Sequence, residues 1–297
     1  MRRLRLLLLV FFIVVFAIFM FSIVRDYLTS DYEAPVISAD AEVLYLSVDE
    51  DTDAALLVGM SALDNLDGDV TNSIVVASES KFVAQATRNV SYAAFDKSNN
   101  VGTYVRKLVY TDYHSPRFVI SEPLRFVSGN SNYDYLRHIS AMDCLDGNIT
   151  TQIKITFGEM ETTSDFASTQ KVNLQVTNSA GDTSTLPLTV TFEDYECYSK
   201  ASPGLTDYII YLKPGEKPNL RAYLDGIWTA GNTRKFSTLG FDPEDDVSID
   251  DSKVDYKTPG IYTVTYKLTH ATPMAEGGTY RSDFGTATMI IVVEDAA

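Results

Sequence analysis

Two short clusters of oxygen-bearing side chains hold the densest chemistry in this sequence: Asp64, Asp67 and Asp69, and then Asp143, Asp146 and Asn148. Each places three carboxylate or amide groups within six residues, around Asp67-Gly68 and Asp146-Gly147. Hard oxygen donors at that density are what Ca²⁺ takes, in sets of roughly six to eight. The same residues also suit a tight turn. Gly68 and Gly147 supply positive φ, and neighbouring Asp side chains close such turns by accepting local N–H groups. An EF-hand is excluded, because the D-x-D-x-D-G spacing is absent and position twelve counted from Asp64 is Val75 rather than Glu. Turn chemistry is the leading reading, with no metal or cofactor required. Calcium is the functional alternative, with Asp31 approaching the first cluster and Asp112 the second.

Other reactive residue types are sparse. The two cysteines, Cys144 and Cys197, fall at opposite ends of one predicted domain. A strand of ~10 residues separates such ends by roughly 33 Å, against a limit of about 7 Å for a disulfide, so two unpaired thiols are expected. His114, His138 and His270 are isolated, whereas a zinc site needs three or four convergent ligands. No G-x-S-x-G, H-E-x-x-H, Walker or dinucleotide pattern occurs, and no catalytic residue is assigned. The chain is read as a non-enzyme. Trp228, between glycines in LDGIWTAGN, reads first as a core residue and second as a stacking surface for a sugar ring. Leu186–Val190 (LPLTV) looks faintly like a sorting signal, but it lies within a strand pattern and is rejected.

The elements that position these residues begin with an apolar run. Leu6–Val24 contains no charge, Pro or Gly, is preceded by Arg2, Arg3 and Arg5, and is followed by Arg25. At ~1.5 Å per residue it spans roughly 29 Å, the thickness of a bilayer's hydrocarbon core. The basic flank predicts a cytoplasmic N-terminus and an outside location for residues 26–297. A signal peptide's apolar region is shorter, about 7–15 residues, and ends in a small-x-small site that this run lacks. An uncleaved anchor is therefore expected. The part after the apolar run carries 21 basic and 40 acidic residues, 21 − 40 = −19. That surface excludes nucleic-acid binding, which needs clustered Lys and Arg.

The remainder repeats. Ser61–Ile74 matches Ser140–Ile153 at an offset of 79, and Asp112-Tyr113 matches Asp194-Tyr195 at an offset of 82. Alternating β-branched and aromatic runs, such as VGTYVRKLVY, KVNLQVT and IYTVTYKL, are separated by Asp-Gly, Asn-Asn and Pro-Gly turns. Beyond the apolar run no helical period is evident. The boundaries expected are an anchor over residues 1–30 and β-sandwiches over 31–113, 114–195 and 196–297. Placed end to end, three such units would reach on the order of 110 Å.

These motifs resemble the bacterial surface immunoglobulin-like domains that occur in tandem on cell-surface proteins and in pesticidal crystal proteins. The likeness rests on the A-x-D-x-x-D-G turn of Ala62–Thr71 and Ala141–Thr150. It rests also on the Gly260–Tyr266 strand, on Asp96–Asn100 with Asn178–Asp182, and on the linkers Asp31–Pro35 and Asp112–Pro116. The resemblance implies an all-β fold of three immunoglobulin-like sandwiches behind one helix, in a structural or adhesive protein of the cell surface. The alternatives are a cell-wall or host glycan-binding module and a non-catalytic accessory subunit of a membrane complex. The loop Ala271–Ser282 is the expected contact surface for a protein or glycan ligand.

Overall fold

A computed structural model describes residues 2–29, 31–129, 134–269 and 284–295. It opens on α1, Arg2–Thr29, a 28-residue helix. Its apolar side chains are exposed all round, from Leu6 through Phe11 and Phe16 to Phe21. Leu4–Arg25 is long and apolar enough to cross a membrane. All other α-helices among the described residues are single turns of four residues, Asp53–Leu56, Tyr195–Tyr198 and Phe236–Leu239. Everything else regular is strand, apart from short 3₁₀ turns, and the chain divides into two compact units at Tyr113/His114.

Unit 1 is one immunoglobulin-like sandwich. Its first extended segment is cut in two, and the halves join different sheets. β1 (Val36–Ala39) pairs antiparallel with β3 (Met60–Asp64), which pairs with the short β4 (Gly68–Asp69). β2 (Val43–Leu46) runs parallel to β7 (Val101–Tyr110) in a sheet completed by β6 (Thr87–Phe95) and β5 (Val75–Glu79). The Asp-Gly turn thus follows β3, after the chain has changed sheets. Alternation sets the faces: Met60, Ala62 and Asp64 point inward from β3, while Ser61 and Leu63 point out. The incoming segment lies flat on the sheet because β7 carries Gly102. A Cβ there would come within 1.9 Å of the Pro35 carbonyl oxygen.

Unit 2 contains two sandwiches of the same topology. The second uses β8 (Arg117–Ile120), β9 (Arg125–Val127), β10 (Ile139–Asp143), β11 (Gly147–Asn148), β12 (Lys154–Ser164), β13 (Ala167–Thr177) and β14 (Thr183–Glu193). The sheet orders are β11-β10-β8 and β12-β13-β14-β9. Pro187 is tolerated in β14 because β9 reaches only Thr191–Glu193, so the strand has one partner at the proline. The third uses β15 (Ser202–Leu205), β16 (Ile209–Leu212), β17 (Leu224–Thr229), β18 (Asn232–Arg234), β19 (Val247–Asp250), β20 (Gly260–Leu268) and β21 (Thr286–Val293). Its sheets are β15-β17-β18 and β16-β21-β20-β19.

These two sandwiches do not stand end to end, as the repeat pattern alone suggests. They lie side by side and antiparallel. Arg117, at the start of the second, forks onto Glu294, just past the last strand of the third, through Nε at 2.8 Å and Nη2 at 2.6 Å. Between them, Phe118 N donates to Tyr211 Oη at 2.7 Å and Tyr208 N donates to the Ile120 carbonyl at 3.1 Å. At the other end Arg125 donates to Glu193 and to the Cys197 carbonyl, and lies 5.3 Å from the Trp228 ring centre. One apolar core runs through both, from Phe118 and Leu174 to Tyr266 and Ile291. The sequence hides this seam because its polar members, Arg117 and Glu294, are 177 residues apart and of ordinary surface type.

The first and third sandwiches share an internal anchor. Tyr92 on β6 and Tyr266 on β20 are fully buried. Each donates its hydroxyl to a carbonyl in the crossover between the second and third strands of its sandwich, Leu56 at 2.8 Å and Leu220 at 2.9 Å. The sequence pattern of β20 is therefore present in unit 1 as Val90-Ser91-Tyr92, although the Gly-x-Tyr before it is absent. In the second sandwich the corresponding position is Leu174.

Candidate metal centre

Asp64 is the last residue of β3, and alternation turns it inward at the end of the sandwich where the chain arrives. Its Oδ1 accepts the N–H groups of Leu66 at 2.9 Å and Asp67 at 2.7 Å, closing the turn that Gly68 completes at φ 73°. Asp96 follows β6. Its Oδ1 accepts Asn100 N and its Oδ2 accepts Asn100 Nδ2, both at 2.7 Å. Asp31 precedes β1, and its Oδ1 accepts Glu33 N at 3.1 Å. Asn100 Nδ2 also donates to the Asp31 carbonyl at 3.1 Å, tying the arriving segment to the β6–β7 turn.

The topology brings these three aspartates together from three parts of the chain. One carboxylate oxygen of each lies within 4.8 Å of one from each of the others. All three are buried, at 9%, 8% and 7% exposure for Asp31, Asp64 and Asp96. Asp31 Oδ2 and Asp64 Oδ2 are shielded from solvent and accept no hydrogen bond. Two ionised carboxylates at that separation repel by ~3 kcal/mol even at an effective dielectric of ~20. A buried acceptor without a donor costs about 1–3 kcal/mol more.

The other sequence candidates behave as turn residues. Asp67 accepts Lys97 N at 2.7 Å and Lys97 Nζ at 2.9 Å. Asp69 accepts Thr71 N at 2.9 Å, and Asn148 accepts Thr150 N at 3.0 Å. Asp146 accepts Ser179 N and Oγ. Asp143 accepts Leu145 N and Asp146 N through Oδ1. Asp112 accepts Ser47 Oγ and Val48 N inside unit 1. Of the seven, only Asp64 belongs to a carboxylate triad among the described residues. Asp96 carried no ligand assignment in the sequence, although the offset pairing Asp96–Asn100 with Asn178–Asp182 marks the position.

The backbone N–H of Lys97, and secondarily its side chain, hold the Asp67 carboxyl below its ordinary 3.8. A carboxyl depressed on folding stabilises the folded state above pH 3.8, and that contribution is lost as pH falls below it. Because the backbone bond is the larger cause, Lys97→Ala should move the Asp67 titration only part of the way back. Carboxyl NMR on the full chain checks this, and a complete return to 3.8 would contradict it.

Cys144 and Cys197 are not joined by a disulfide. Burial raises the Cys197 thiol. His114 Nδ1 lies 3.0 Å from the Ser115 carbonyl, and His138 Nδ1 lies 3.5 Å from Glu122 Oε2. Trp228 is buried at 2% exposure, edge-on to Tyr198, and offers no stacking face to solvent. An open groove between the second and third sandwiches is lined by Leu124, Arg125, Pro187, Lys200 and Phe284. His270 and the loop Ala271–Ser282 lie outside the described residues.

No family model matches the chain, and no curated protein does. Among solved structures it is similar to the CBM51-2 and INT domains of Clostridium perfringens ZmpB, a structure in complex with GlcNAc. That similarity has 18% identity and a TM-score of 0.22, covering 52% of this chain and 41% of the other. It is also similar to repeats EC21–23 of human CDH23 (11% identity, TM-score 0.21, covering 88% of this chain and 100% of the other). A third is protocadherin gammaB7 EC3–6 (11%, TM-score 0.20, 89% and 74%). At these identities and TM-scores the likenesses say nothing about a ligand.

Proposed function

We propose that this chain is a single-pass membrane protein that holds tandem immunoglobulin-like sandwiches outside the cell, as a structural or adhesive surface protein without catalytic activity. One observation carries the reading. Leu6–Val24 forms a helix whose apolar side chains are exposed all round, and the sandwich begins within a few residues of its end. A helix hydrophobic on every face belongs in lipid or inside a large core. Arg2, Arg3 and Arg5 ahead of the span favour a cytoplasmic N-terminus. The kinship with bacterial surface immunoglobulin-like domains belongs to the same proposal, supported by the repeated Asp-Gly turns and the sandwich topology. Burial removes Trp228 as a stacking residue for a glycan.

Protease added to intact cells tests the proposal. Residues beyond Asp31 should be digested while the helix stays with the membrane. Sandwiches left untouched, or a form lacking the first thirty residues recovered from the medium, would refute it.

A further inference from the structure

The geometry points to a Ca²⁺ site in unit 1, made by Asp31, Asp64 and Asp96. Three observations converge on it. First, oxygens bound to one Ca²⁺ at about 2.4 Å lie no more than about 4.8 Å apart, and the three carboxylates fall within 4.8 Å of one another. Second, Asp31 Oδ2 and Asp64 Oδ2 are shielded and accept no hydrogen bond, on side chains more than nine-tenths buried. Buried charges persist where they are paired or coordinate a metal, and no Lys or Arg is paired with any of these three among the described ion pairs.

The third observation is an internal comparison. The second sandwich repeats two of the three positions, while Asp112, the counterpart of Asp31, accepts Ser47 Oγ and Val48 N in unit 1. Asp143 stands where Asp64 stands, and Asn178 stands where Asp96 stands. There Asn178 Nδ2 donates to Asp143 Oδ2 at 3.1 Å. The amide supplies in the second sandwich the hydrogen-bond donor that Asp64 Oδ2 lacks in the first. At these two positions the second sandwich is a self-satisfied turn, whereas Asp64 Oδ2 in the first has no donor. The ligands are all hard oxygens from three separate segments, and each uses Oδ1 to close its own turn. That suits Ca²⁺, which accepts mono- or bidentate carboxylates in flexible geometry, better than Mg²⁺, which demands a near-ideal octahedron and keeps its waters. Bound there, the ion fastens the segment that follows the membrane helix to the end of β3 and to the β6–β7 turn.

Calorimetric titration of the full chain in detergent micelles, stripped with EGTA and titrated with CaCl₂, tests the site. One Ca²⁺ per chain is expected, with the melting temperature higher in calcium than in EGTA. Asp96→Asn, which copies the second sandwich, should abolish binding and melt in EGTA at or above the wild-type temperature. That result separates loss of the site from loss of the fold. Asp67→Asn should bind as the wild type does. No calcium heat and no difference in melting between calcium and EGTA would overturn the inference, as would an Asp96→Asn chain that still binds. Equal displacement by Mg²⁺ would overturn the choice of ion.

Discussion

Tyr266→Ala is expected to lose about 3–5 kcal/mol of stability, with Tyr266→Phe losing about 1–3 kcal/mol. The first figure reflects a large side chain with no solvent exposure, packed in the core that runs through both sandwiches of unit 2. Removing the ring leaves a cavity that the flanking strands β19 and β21 cannot close without breaking their ladders. The second figure isolates the hydroxyl. Its loss strands the Leu220 carbonyl, which holds the crossover between β16 and β17. Urea unfolding of the full chain in micelles, followed by circular dichroism, measures both. A Phe variant as unstable as the Ala variant would mean that the hydrogen bond, not the packing, dominates. Tyr92→Phe should repeat the smaller loss in unit 1, since its hydroxyl bonds Leu56 in the same way.

The protein is also expected to unfold sharply in alkali. Burial raises the phenols of Tyr208 and Tyr211 above their ordinary 10.0, Tyr208 to about 12, and does the same for Tyr266. A group whose pKa is raised on folding contributes stability that is complete below its unfolded value and lost as pH climbs through the folded one. The window therefore runs from pH 10 upward through about 12. For Tyr208 alone this amounts to roughly 3 kcal/mol. Tyr208 and Tyr211 both sit in the seam between the sandwiches, where Tyr208 N meets the Ile120 carbonyl and Tyr211 Oη receives Phe118 N. The last part of the tyrosinate absorbance should appear together with loss of β-sheet dichroism. Full tyrosinate absorbance reached while the sheet dichroism persists would show that these phenols are not shielded.

Local order was legible in the sequence wherever a short-range rule decides it. The apolar helix, the alternation that buries Met60 and Ala62, and the glycines that turn the chain at Gly68 and Gly147 all follow from neighbours within a few residues. The Asp-Gly clusters were equally visible, as was the approach of Asp31 to Asp64. The third member was not, because Asp96 lies 32 residues further on and meets Asp64 only through sheet topology. The same applies to the side-by-side packing in unit 2. A repeat period reports the number of sandwiches, whereas their arrangement depends on complementary faces such as Arg117 with Glu294 and Arg125 with Trp228. The tyrosine anchor was half visible: the β20 pattern stands out, while Tyr92 is masked by different residues around it.

The return of Glu294 to Arg117 has a mechanical consequence. A load applied through the chain at His114 and at Glu294 grips unit 2 at one end on both attachments. It peels β8 away from β16 instead of drawing two domains out in series. The first bond to yield is the guanidinium–carboxylate fork, and the long ladders of β12 to β14 stay out of the line of force. Unit 2 therefore behaves under tension as a clasp, not as two links of a tether.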